Sequence, residues 1–215
     1  SSDLKDLGIR RPADLRGRRV AVVEGSSAHY FLDTLLAAHG MSPAEVSKVF
    51  LPAERVNSAV LAGKAEAAAH WGSYVLDLTR DLGSRAQLLE APGLVISPFL
   101  LLVRRDYAQS HPAVLQSVLR ALVKAEDMAH RQTARAQALL APDFGLGAEE
   151  LAYAWKEHDY EVQLPQPLLL SLESAARWQI GLRPPDRRPA MPDYLNLILT
   201  SPLRAVKPAA VTVIE

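Results

Sequence analysis

Hydrophobic positions along this chain fall into short β-branched runs that alternate with longer stretches of helical spacing. Val20-Ala21-Val22-Val23 is an unbroken apolar run, the pattern of a strand buried on both faces. It leads through Gly25-Ser26-Ser27 into Ala28, Phe31, Leu32, Leu35 and Leu36, which recur at helical spacing. Ser26 or Ser27 is a good N-cap for that helix and Gly40 a good residue just past its end. Val46 to Leu51 reads as a second strand stopped by Pro52, and Ala53 to Leu61 as a helix stopped by Gly63. Ala65 to His70 is a short strand of small residues, and Trp71-Gly72-Ser73-Tyr74 opens a helix to Leu82. Strand and helix alternating three times predict an α/β fold with a parallel sheet flanked by helices. In such a sheet ligands sit beyond the carboxyl ends of the strands. Those ends are Gly25-Ser26-Ser27, Leu51-Pro52 and His70-Trp71-Gly72-Ser73, so three loops are expected to converge on one crevice.

The second half changes character. Gln87 to Glu90 suits a further edge strand, Ala91-Pro92-Gly93 breaks the pattern, and Val95 to Val103 is the most apolar stretch, expected to connect to a second unit. From Ser110 the chain turns helical, with Ser110 as cap, Pro112 in the first turn, and one apolar face running through Val114, Leu115, Val118, Leu119 and Leu122. The pattern carries this helix to Leu140, with Pro142 and Gly145 ending it. Glu149 to His158 and Leu168 to Ile180 read as further helices, the latter closed by Gly181, and Trp155 and Trp178 on them read as core. The tail is proline-rich from Pro184 to Pro208 and finishes as Val211-Thr212-Val213-Ile214.

Composition narrows the function more than the fold. Lys plus Arg and Asp plus Glu balance at 24 each, so no overall field recruits nucleic acid. The absence of cysteine excludes disulfides, thiolate metal sites and a cysteine nucleophile. No apolar run reaches the length of a membrane span, so no stable membrane insertion is expected of this sequence. The locally basic residues 1–19 read as a solvated leading segment.

The candidate chemistry lies at the first strand-to-helix turn. A helix N-terminus just beyond a strand presents unpaired N–H groups and the positive end of its dipole to an anion. Gly25, Ser26, Ser27, Ala28 and His29 form that turn, in which either serine serves equally as a plain cap. His29 reads either as a neutral histidine at the surface or cleft edge, or as a cation held by a bound anion. Trp71 stands at a strand's carboxyl end, followed by Gly72, Ser73 and Tyr74, with Tyr74 read as a packing residue that offers its hydroxyl. The six histidines show no metal-ligand spacing, so no metal site is expected. Glu24-Gly25-Ser26-Ser27-Ala28 lacks the frame of a nucleophile elbow, and no catalytic residue is assigned.

Gly8–Val22 (GIRRPADLRGRRVAV), Gly25–Leu32 (GSSAHYFL), Val49–Trp71 and Val103–Ala125, with the tail Met191–Ile214, carry a family likeness in one order along nearly the whole chain. The sequence resembles type 2 periplasmic binding proteins of the nitrate/taurine/aliphatic-sulfonate group, the solute-binding subunits of ABC importers. The resemblance implies two lobes joined by a hinge. Residues 1–12 would be a leading segment, 13–93 a complete lobe two, and 94–215 the returning part of lobe one, whose N-terminal part lies outside this sequence. It further implies a small anionic ligand, sulfonate-, nitrate- or taurine-like, in an inter-lobe cleft, no cofactor, transient contact with a membrane permease, and a periplasmic location with a lipid anchor in the full-length form. Ser26, Ser27, Ala28 and His29 match the family's anion-receiving helix start, and Trp71 an aromatic at the cleft mouth. Where many relatives continue with Asp-Pro and an aromatic, this chain has Gly72-Ser73 and then Tyr74. Two other classes share the fold: enzymes of pyrimidine-synthesis or desulfination type, and ligand-sensing domains of signalling proteins.

Overall fold

A computed structural model describes residues 8–156 and 158–214. The chain divides into two compact units, Ser1–Ser97 and Pro98–Glu215. Most of the expected leading segment, residues 1–12, lies outside the described residues.

The first unit is built around β1 (Arg19–Val22), which pairs in parallel with β2 (Ser47–Phe50) on one side and β3 (Ala67–Ala68) on the other. The sheet order is β2-β1-β3, and the register sets Val20 opposite Lys48 and Ala67. The unbroken apolar run of β1 has a direct cause, because successive side chains of a central strand enter opposite cores. Val20 and Val22 join Leu32 and Leu36 of α1 (Ser27–Ala38) in one core cluster. Ala21 faces the other way, into a cluster with Val56 and Val60 of α2 (Ala53–Leu61) and Leu82 of α3 (Gly72–Leu82). Full burial of each Val or Leu contributes about 1.5–3 kcal/mol.

The expected Ala65–His70 strand contracts to two assigned residues, although backbone bonds from Glu66 N to Arg19 O (2.9 Å) and Ala69 N to Ala21 O (3.0 Å) extend its pairing. At the amino edge of the sheet, Arg19 and Glu66 form an ion pair, with the Glu66 carboxylate also accepting the Arg19 backbone N–H at 2.8 Å. The strand expected over Gln87–Glu90 does not form. The Gln87 side chain bonds the neighbouring Leu88 carbonyl (3.0 Å), and a cavity of about 200 Å³ lies between this segment and β3, lined by Ala68, Leu78 and Leu89 among others. Leu89 still packs on the core, so the apolar pattern records burial rather than pairing.

The second unit is helical: α4 (Arg105–Ser110), α5 (Pro112–Arg131), α6 (Thr133–Phe144), α7 (Ala148–Lys156), α8 (Pro167–Gly181) and α9 (Ser201–Val206). α5 packs on α6 and α9, and Leu164 and Val211 form an isolated parallel bridge. Five expectations need correction here. Ser110 does not cap α5 but closes α4, its hydroxyl donating to the Asp106 carbonyl at 2.8 Å. The long helix breaks at Gln132, whose backbone (φ −133°, ψ 45°) leaves the helical region and separates α5 from α6. Pro142 is carried inside α6, in its last turn, and the stop comes at Gly145 in the left-handed conformation (φ 61°), which a glycine adopts without strain. Gly181 is the final helical residue of α8 rather than its terminator. Trp155 and Trp178 are half-buried, not core, Trp155 stacking on Tyr160 at 4.3 Å. The apolar stretch from Val95 to Val103 has no regular structure and stands in solvent, with Phe99 88% and Leu102 84% exposed.

Candidate functional site

The site grows out of the carboxyl edge of the three-stranded sheet. After β1 the chain turns at Gly25, whose φ of 67° is the left-handed conformation glycine supplies without a Cβ penalty. Ser26 is the N-cap of α1: its hydroxyl oxygen accepts the His29 backbone N–H (3.2 Å) and its hydroxyl donates to the Val23 carbonyl (2.7 Å). The first intrahelical bond runs from Tyr30 N to Ser26 O at 3.0 Å. The N–H groups of Ser27 and Ala28, one residue into the helix and two, therefore have no acceptor within the helix, and the helix dipole adds its positive end there.

Trp71, at the end of the β3 segment, reaches this turn directly, its indole Nε1–H donating to Ser27 Oγ at 2.8 Å. Trp71 also precedes α3 as its N-cap without supplying a cap oxygen, so Gly72 and Ser73 begin a second helix with open N–H groups at the same edge. Gly72 and Ser73 are exposed, Tyr74 half-buried, and Trp71 36% exposed. Tyr74 is held by stacking on His70 (centroids 4.1 Å, planes 7° apart) and by its carbonyl, which accepts the Asn57 Nδ2–H at 2.7 Å.

Residues that sequence reasoning passed over join the three loops. His70 Nε2 donates to the Ala53 carbonyl at the start of α2 (2.9 Å), while its Nδ1 accepts the Trp71 backbone N–H (3.0 Å). That pair of bonds fixes the neutral Nε2–H tautomer. Burial, opposed by the bond to Ala53, lowers the His70 pKa below the ordinary histidine value. The signal was available in sequence as an aromatic pair at i and i+4, His70 and Tyr74. Phe50, at the carboxyl end of β2, is 43% exposed and lies 5.1 Å from the His29 ring. No periodicity distinguishes such a residue from an ordinary strand end.

Of the nine expected site residues, Ser27 and Trp71 touch, and Gly25, Ser26 and Ala28 frame the first turn. His29 departs from both readings of it. Its side chain is 2% exposed, and its backbone N–H is already taken by Ser26. The two open N–H groups of this turn are those of Ser27 and Ala28, not His29. Burial leads the forces that lower the His29 pKa, against an upward pull from Asp33. Chemically the edge offers backbone N–H groups, a hydroxyl, an indole and an exposed phenyl ring, a surface suited to a weakly hydrated anion carrying a small organic tail.

In the second unit Glu126, His130 and Glu161 bring one possible metal-ligand atom each to within 4.8 Å of one another. Glu126 and His130 lie four residues apart on α5 and Glu161 on a separate stretch, so the spacing of the histidines alone does not show the trio. Two of these groups are already engaged: Glu126 Oε1 accepts Lys207 Nζ at 2.5 Å, and His130 Nε2 donates to the Tyr160 carbonyl at 2.9 Å. A cation there would have to displace the ammonium. Among the described residues no helix is long and apolar enough to cross a membrane.

A protein of Escherichia coli (strain K12) named for binding aliphatic sulfonates is 30% identical over 144 residues, 67% of this chain and 45% of its own length. The taurine-binding periplasmic protein of the same organism is 32% identical over 120 residues, 55% of this chain and 37% of its own. The chain thus spans less than half the length of either curated relative. Among solved structures, the alkanesulfonate-binding protein SsuA from Xanthomonas axonopodis pv. citri, bound to MOPS, aligns with a TM-score of 0.63 and 28% identity. That alignment covers 80% of this chain and 58% of SsuA. The periplasmic aliphatic sulphonate binding protein SsuA from Escherichia coli shares the fold with a TM-score of 0.68 at 24% identity, over 90% of this chain and 66% of its own. The α/β fold is that of these periplasmic binding proteins. The family model described as NMT1/THI5 like matches residues 3–136, well over half of the sequence, and the chain belongs to that family.

Proposed function

We propose that this chain is the solute-binding part of an ABC importer, acting outside the cytoplasmic membrane, and that it takes a small sulfonate- or taurine-like anion at the carboxyl edge of its sheet. The anionic head is received by the open N–H groups of Ser27 and Ala28 and by the Ser27 hydroxyl. Trp71 and Phe50 pack against the organic part. Delivery is to a membrane permease, through transient contact.

The observation that carries this reading is the 2.8 Å bond from the Trp71 indole to Ser27 Oγ. It joins two sequence-distant loops beside the first turn of α1, where the helix dipole favours negative charge. The relatives named for sulfonates and taurine, and the MOPS bound to one SsuA, support the ligand class, since MOPS is itself a sulfonic acid. The serines support binding rather than turnover: Ser26 gives its hydroxyl proton to a backbone carbonyl, and the Ser27 oxygen accepts from an indole, a poor arrangement for a nucleophile.

The test is thermal unfolding in a Tris chloride buffer free of sulfonates, against taurine, alkanesulfonates, MOPS, nitrate, bicarbonate and pyrimidine precursors. A ligand at a hundred times its Kd stabilises the folded state by about 2.7 kcal/mol. A shift with sulfonates, reduced in Ser27→Ala and Trp71→Ala but not abolished, is the expected result. A shift with pyrimidine precursors alone, or none with any compound, refutes the assignment.

A further inference from the structure

The buried histidine has no direct part in the scheme above, yet it is wired to the turn that performs it. His29 Nδ1 accepts the Gly25 backbone N–H at 3.2 Å, so that nitrogen carries no proton. In a neutral imidazole the proton is then on Nε2, which lies 3.5 Å from Asp33 Oδ2. The other Asp33 oxygen meets Lys48 Nζ at 2.8 Å, and Lys48 also donates to the Pro43 carbonyl at 3.1 Å. The result is a polar relay running from Gly25 through the interior to β2 and the turn before it, its His29–Asp33 step being a 3.5 Å electrostatic contact and not a hydrogen bond. The charged groups that bear on the imidazole are Asp33 from α1, Lys48 from β2 and Glu24 from the loop, and the Phe50 ring lies against it at a tilt.

Resting on the anion-binding reading above, we propose that His29 is a positioning residue. In its neutral, Nε2-protonated form it pins the Gly25 N–H, and with it the left-handed turn that presents Ser27 and Ala28 to the anion. Gly25 is free to rotate into other backbone conformations at little cost. Its φ of 67° is held by fixing the groups around it: its own N–H on His29, and the Ser26 hydroxyl on Val23 O at 2.7 Å. Protonation of His29 would place an N–H on Nδ1 directly opposite the N–H of Gly25. Two donors would then face each other, the bond would be lost and the turn released. Anion affinity is therefore coupled to the protonation of a side chain that does not touch the anion. The low exposure of the ring, 2%, separates this role from direct ligand contact.

The test uses the whole chain and two variants. Asparagine carries its amide oxygen where histidine carries Nδ1, so His29→Asn keeps an acceptor for Gly25 without titrating, whereas His29→Leu fills the space with no acceptor. Heteronuclear NMR on the wild type, from about pH 8 to about pH 5, reads the His29 tautomer and the Gly25 amide across the histidine range. Calorimetric titration with taurine and with MOPS reads affinity. The proposal expects the Nε2–H tautomer, a Gly25 amide that shifts with His29 titration, and wild-type affinity that falls over the same pH interval. His29→Leu binds roughly three- to tenfold more weakly, the worth of one hydrogen bond. His29→Asn binds as wild type and independently of pH.

A proton on Nδ1, a Gly25 amide indifferent to His29 titration, or an Asn variant as weak as the Leu variant overturns the proposal. Should His29→Leu fail to fold, the wild-type titration and the Asn variant decide. If neither sulfonate binds the wild type, the functional reading falls, while the tautomer and the Gly25 amide still judge whether His29 holds the turn.

Discussion

Removing the Asp33 carboxylate is expected to cost this unit more than any surface change. Asp33 is 7% exposed and its partner Lys48 has a side chain only 15% exposed. In Asp33→Ala the ammonium loses its 2.8 Å partner and keeps the Pro43 carbonyl, at 3.1 Å, while His29 Nε2 loses the carboxylate it faces. Breaking a buried pair on one side costs about 3–5 kcal/mol, and the surviving carbonyl bond places this case near about 3 kcal/mol. Urea unfolding is followed by Trp71 fluorescence in a background where Trp155 and Trp178, both of the second unit, are replaced by Phe. With a slope of about 2 kcal/mol per molar, the midpoint should fall by about 1.5 M. The double variant Asp33→Asn with Lys48→Met removes both charges and retains an acceptor for His29. It should recover most of the loss, and with the singles Asp33→Asn and Lys48→Met measured alongside, the cycle should give a coupling energy above about 1.5 kcal/mol. A drop of less than about 0.5 M in the single variant would show that Lys48 finds water once unpaired, and the relay would then be a surface feature.

Three further outcomes follow from the same geometry. Leu36→Ala, at a side chain with 0% exposure in the core under α1, should lower stability by about 2–5 kcal/mol in the same urea experiment. Stability should fall with pH in two stages. His29 and His70 both have pKa values lowered below 6.5, so the unfolded chain takes up protons first and stability drops as pH falls below about 6.5 towards their folded values. Glu66, held below 4.5 chiefly by the Arg19 side chain, adds a second loss as pH falls from about 4.5 through its folded value, and urea midpoints over a pH series should resolve the two. Phe99→Ser and Leu102→Ser, at side chains 88% and 84% exposed, should leave stability within about 0.5 kcal/mol while reducing aggregation measured by light scattering.

The first unit was legible because its sequence signals coincide with physical necessities. Val20 to Val22 must be apolar throughout since they enter two cores, and a chain leaving a central strand for a helix needs both a turn residue and a cap, which Gly25 and Ser26 supply. Sequence also pointed to Ser27 and Trp71, which the fold brings into contact. It could not place His29, because helical spacing says which face a residue occupies, not whether a carboxylate and an ammonium wait there to accept it. Leu89 packs on the core without a ladder while Leu88 stays exposed, so the apolar pair within Gln87–Glu90 imitated a strand. The second unit read less well for a related reason. Gln132 carries no breaker chemistry, and its departure from the helix is visible only in backbone angles.

The proposed anion seat, made from main-chain N–H groups, has an evolutionary consequence. No substitution deletes a peptide N–H except one to proline, so drift in the side chains of Ser27 and Ala28 leaves the electrostatic grip of the first turn standing. On that reading, selection for a different ligand can act through the bordering side chains, Phe50, Trp71, Gly72 and Ser73, without risking the ability to hold an anion at all. Such a division makes new specificities reachable by single changes, each passing through a form that still binds.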